Sequence, residues 1–84
     1  MTRGRVGGAF ERALDLPGWS SRSSWGYDAS LECFWAEVWR GDEDAEPEVR
    51  IAPDHLLSTL TGLARAVAGA VGVREVEALL ALTA

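Results

Sequence analysis

From Leu31 onward the side chains alternate along the chain. Phe34, Ala36 and Val38 fall on one side, and Cys33, Trp35, Glu37 and Trp39 on the other. This period of two, filled with aromatic and β-branched residues, predicts a strand over 31–40. Glycine, acids and proline over 41–47 interrupt the pattern, and 48–51 then alternates again, which predicts an antiparallel hairpin with a long acidic loop. Pairing Val38 with Val49 and Ala36 with Ile51 gathers the aliphatic side chains on one face and sets Glu37 opposite Arg50 on the other. Trp39 would then lie opposite Glu48. A slip of one residue would move Val49 and Ile51 to the tryptophan side and break the charge pair, so the first register is expected.

The pattern changes to a helical period after Ala52-Pro53. Leu56, Leu60, Leu63, Val67 and Val71 recur at three-and-four spacing, with Leu57, Ala64 and Ala68 widening the stripe. The spacing predicts a helix over 56–71, capped by Asp54 and ended by a left-handed Gly72. Val76, Leu79 and Leu80 predict the inner face of a second short helix, with Arg74, Glu75 and Glu77 turned outward. Upstream, Phe10, Ala13 and Leu14 have helical spacing, so a short helix is expected over 9–16, stopped by Pro17-Gly18. A Ser-rich link carrying Arg22 follows, and Trp25-Gly26-Tyr27-Asp28 reads as a turn between two aromatics. Residues 1–8 are rich in Arg and Gly with no apolar period, a mobile tail ahead of one domain over 9–84.

These elements place the chain in the α+β class: an antiparallel β-hairpin packed by its Phe34 and Val38 face on a C-terminal helical hairpin. Two strands alone are marginal, so the sheet is expected to be extended either by the N-terminal segment or by dimerisation.

Composition narrows the chemistry. With 84 residues, 48% of them apolar, and four Trp, the chain has the means to form one small core. A formal charge of −5, from 13 acids against 8 bases, disfavours general binding to nucleic-acid backbone. All the bases are Arg, as a GC-rich bacterial genome encodes. Cys33 is the only cysteine, which excludes an internal disulfide and a thiolate metal site and points to a reducing cytoplasm. No export signal is expected after Arg3 and Arg5, because polar residues interrupt the apolar run such a signal needs. No membrane association is expected either, since Ala64 to Val73 is too short and contains Arg65.

Asp42, Glu43, Asp44, Glu46 and Glu48 form the one charge run. Counted from Asp42, the position where a calcium loop needs Gly holds Pro47, so a solvated loop is expected, with docking of a basic partner as the functional alternative. His55 is the only histidine and reads as a surface residue beside a capping Asp54. No nucleophile triad, phosphate loop or metal spacing is present, so neither enzyme activity nor a cofactor or metal is expected. The segment 63–82 has the outline of a helix-turn-helix, but Arg74 stands beside Glu75 and Glu77, the wrong sign for facing phosphate.

The stretch Gly18-Trp19-Ser20-Ser21-Arg22-Ser23-Ser24-Trp25-Gly26-Tyr27-Asp28, with Phe34-Trp35-Ala36-Glu37-Val38-Trp39 after it, resembles short uncharacterised proteins of actinobacteria. That resemblance implies no activity, cofactor or partner.

The sequence therefore leads to a small acidic cytoplasmic interaction module, a regulator or inhibitor that binds a protein partner and forms a homo-oligomer. Its expected binding residues are Trp35, Trp39, Trp25, Tyr27, Glu37 and Arg50, on an aromatic sheet face. The competing readings are a DNA-binding regulator using the C-terminal helices and an accessory subunit of an enzyme complex.

Overall fold

The computed structural model describes residues 10–83; the expected tail over 1–8 lies outside them. The chain forms an α+β arrangement. Four strands, β1 (Phe10–Ala13), β2 (Ser24–Asp28), β3 (Cys33–Val38) and β4 (Val49–Ile51), make an open antiparallel sheet in the order β1-β2-β3-β4. Two helices follow, α1 (Leu60–Val71) and α2 (Glu75–Thr83), after a short 3-10 turn at Pro53–His55.

The β3–β4 register is the expected one: Val38 faces Val49, Glu37 faces Arg50, and Ala36 faces Ile51. The N-terminal segment supplies the rest of the sheet, and two expectations are corrected there. Phe10–Ala13 is a strand rather than part of a helix, because its backbone groups pair with β2, Phe10 opposite Tyr27 and Arg12 opposite Trp25. Trp25-Gly26-Tyr27-Asp28 is likewise strand and not turn. The turn comes after it, where Asp28 Oδ1 accepts from the N–H of Leu31 at 3.0 Å and Glu32 takes a left-handed conformation (φ 56°).

Trp25, Ala36, Val38 and Ile51 project to one side of the sheet and join Leu63, Ala64, Val67 and Ala68 of α1 in the core. Leu14 and Leu16, from the β1–β2 connection, are buried in the same cluster. An aromatic group extends the core toward β1: Phe10 meets Trp25 edge-on at 5.2 Å, and Tyr27 lies 5.0 Å from Phe34.

Helix α1 starts later than its leucine spacing suggests. Thr59, not Asp54, is the N-cap, and its hydroxyl accepts from the N–H of Gly62 at 2.9 Å. The preceding residues are used otherwise. Pro53–His55 forms its own turn, closed by the N–H of Ala52 donating to His55 Nδ1 at 3.1 Å, and Leu56 ends it in a left-handed conformation (φ 61°), 73% exposed. The Leu57 carbonyl then accepts from Phe34 N–H at 2.8 Å, tying this segment to β3. Gly72 ends α1 with φ 80°, as expected.

Helix α2 reverses its expected face. Ala78, Ala81 and Leu82 are buried, whereas Val76, Leu79 and Leu80 are exposed. Glu77 caps it by accepting from the N–H of Arg74 at 2.9 Å, and Arg65 joins α1 to α2 through Glu75 at 3.4 Å.

Candidate partner-binding surface

The side of the sheet opposite α1 is built around Gly26 and Trp35, which face each other across β2 and β3. A Cβ on Gly26 would lie 2.6 Å from Cζ2 of Trp35 and 2.3 Å from the carbonyl oxygen of Phe10. Glycine is required here because the indole and the neighbouring strand both occupy the space a side chain would take. The ring therefore lies against the sheet, half-buried, on the face that α1 does not cover. One step along, Glu37 and Arg50 form a cross-strand ion pair at 3.5 Å, with Arg50 exposed and Glu37 half-buried. Ser24 flanks Glu37 on the other side, and Glu11 lies opposite Gly26.

At the end of β3 this surface meets a polar clamp. The Trp39 N–H donates to Ser23 Oγ at 2.9 Å, and the Trp39 carbonyl accepts from Ser20 N–H at 2.8 Å. The Arg22 guanidinium lies 3.6 Å from the centre of the Trp39 ring. Its Nη1 also donates to the carbonyls of Asp42 and Asp44, both at 2.9 Å. The Ser20 hydroxyl donates to Asp42 Oδ1, and Asp44 Oδ2 accepts from Gly41 N–H at 2.9 Å. A second stack, Arg40 over Trp19 at 3.9 Å, stands beside the first. The acidic loop is thus held in shape at its first turn, and Glu43, Glu46 and Glu48 remain exposed along it.

The expected binding residues separate into three groups. Trp35, Glu37 and Arg50 share the open face, and Trp39 borders it within the Arg22 stack. Trp25 and Tyr27 do not join them: the register puts them with Ala36 and Phe34 on the side facing the helices. Trp25 is 4% exposed, and its Nε1 has no hydrogen-bond partner among the described residues. Tyr27 is half-buried, stacked on Phe10 with ring centres 6.4 Å apart. The expected grouping counted Trp25 and Tyr27 as loop residues, whereas a strand fixes their side by parity. The residues that sequence reasoning missed are Arg22, Ser20 and Ser23. Only their long-range contacts with residues 39–44 give them a role, and no local pattern announces those.

Among the described residues, no group of His, Cys, Asp or Glu is placed to hold a metal ion, and Cys33 is a buried free thiol. No described helix is long and apolar enough to cross a membrane. The arrangement offers an aromatic ring laid on the sheet with an ion pair beside it and an acidic loop at the end of β3. The chain matches no protein-family model, no curated protein and no solved structure.

Proposed function

We propose that this chain is a small non-enzymatic interaction module, a cytoplasmic regulator or inhibitor, that binds the basic face of a partner protein through the Trp35 side of its sheet. The observation that carries this reading is the Trp35–Gly26 pair: a large aromatic ring pre-positioned on the sheet face that the protein's own helices leave open. Rigid, amphipathic aromatic surface of this kind is what interface centres favour, since little side-chain freedom is lost on binding. Charge supports the partner class. The acids of the β3–β4 loop, Asp42, Glu43, Asp44, Glu46 and Glu48, stand against Arg40 alone in that loop, so approach of a basic surface is favoured. The free, buried Cys33 suits a reducing compartment.

The competing reading, DNA binding by the C-terminal helices, draws little support from α2. Its outward side chains are Val76, Leu79 and Leu80, with Glu75 and Glu77 in its first turn, and a phosphate-facing helix needs bases. Affinity purification from the source organism, with the intact chain and Trp35→Ala as parallel baits, tests the proposal. A basic protein recovered with the first and depleted with the second supports it. A salt-dependent shift of duplex DNA, with no protein partner recovered, would favour the competing reading.

A further inference from the structure

Helix α2 buries Ala78, Ala81 and Leu82 yet keeps a second apolar face outside: Val76 (52% exposed), Leu79 (36%) and Leu80 (62%) form a stripe at i, i+3 and i+4. We infer that this stripe is where a second copy of this chain docks, pairing α2 with α2 about a two-fold axis.

Three observations favour a second copy over another occupant. The first is shape. Thr61 and Ala64 of α1, with Glu75, Val76 and Leu79 of α2, line a shallow groove of about 320 Å³ on one margin of the stripe. At 100° per residue, Leu80 projects from the opposite margin. A protruding leucine and a groove on the same patch are self-complementary, as a two-fold interface requires: each Leu80 enters the other copy's groove. The second is charge. The stripe carries none, and the ions around it are already paired, Glu75 with Arg65 at 3.4 Å and Glu77 with Arg74 at 3.6 Å. The third is the distribution of charge over the molecule. The chain carries −5 overall, but over 60–83 Arg65 and the interhelical Arg74 balance Glu75 and Glu77, so two copies meet with least repulsion at the helical end. A basic partner, by contrast, finds no unpaired acid there and is drawn to the β3–β4 loop.

The inference does not depend on what binds the Trp35 face. Sedimentation equilibrium of the full chain over a concentration series tests it. The expected result is a dimer at about 100 µM that Leu80→Glu converts to monomer without loss of its far-ultraviolet circular dichroism, while Trp35→Ala stays dimeric. If Leu80→Glu fails to fold, the milder Leu80→Gln decides by the same reading, with a dissociation constant raised at least about tenfold. A monomer at every concentration, or a dimer that the Leu80 variants leave unchanged, would overturn the inference.

Discussion

The indole of Trp35 lies across Gly26 of the neighbouring strand, with Cζ2 only 2.6 Å from where a Cβ would stand. The same Cβ would lie 2.3 Å from the carbonyl oxygen of Phe10, so two neighbours exclude it. Gly26→Ala is therefore expected to destabilise the fold by about 3 kcal/mol, the upper part of the range for overpacking. In a Trp35→Ala background the cost should fall only in part, because the backbone clash with Phe10 persists. Urea unfolding of the four members of this cycle measures both quantities.

Trp35 and Leu63 make a useful contrast in stability. Leu63 is fully buried beneath the sheet, and Leu63→Ala is expected to cost about 2–5 kcal/mol. Trp35 is only half-buried, with one ring face on Gly26, so Trp35→Ala should cost about 1 kcal/mol, well below a core truncation. Equal losses would mean that Trp35 belongs to an internal second core.

The acidic loop should respond residue by residue. Arg22→Lys keeps the charge but loses the planar stack on Trp39 that holds Nη1 at the Asp42 and Asp44 carbonyls, at a cost of about 1 kcal/mol. Glu43→Ser, which touches none of these contacts, should stay within about 0.5 kcal/mol of the parent. Amide exchange at residues 41–44 should quicken in the first variant and not in the second.

Leu56 combines a left-handed backbone with 73% exposure. Leu56→Asn, a residue that tolerates this conformation, is expected to raise stability by about 0.5 kcal/mol in thermal unfolding. A loss instead would show that the leucine side chain contributes packing its exposure does not suggest.

The sequence was readable where one physical requirement dominated. Register across β3 and β4 followed from parity, since only one alignment united Val38, Val49 and Ile51 and also paired Glu37 with Arg50. The end of α1 followed from Gly72, because a left-handed terminus suits glycine. It was unreadable where two requirements gave the same letters. Phe10, Ala13 and Leu14 fit a helix turn as well as a strand running into a loop, and only pairing with β2 decides between them. Gly26 has the signature of a turn residue, since a mid-strand glycine is costly without a ring lying over it, and that ring is Trp35. After Glu77 the run Ala78 to Leu82 is apolar on every side of helix α2, so its period does not say whether Val76 and Leu80 or Ala78 and Leu82 turn inward. The candidate surface was half legible: Trp35, Glu37 and Arg50 were placed together by parity, whereas the Arg22 clamp depends on contacts about twenty residues apart.

Binding of a protein partner by the Trp35 face, as proposed, is tested most directly by the affinity of the recovered partner for Trp35→Ala. Isothermal titration should show a loss of about thirtyfold or more, equivalent to about 2 kcal/mol, with Leu80→Gln binding that partner like the parent chain. A Trp35→Ala chain that is folded and binds with unchanged affinity would contradict the account.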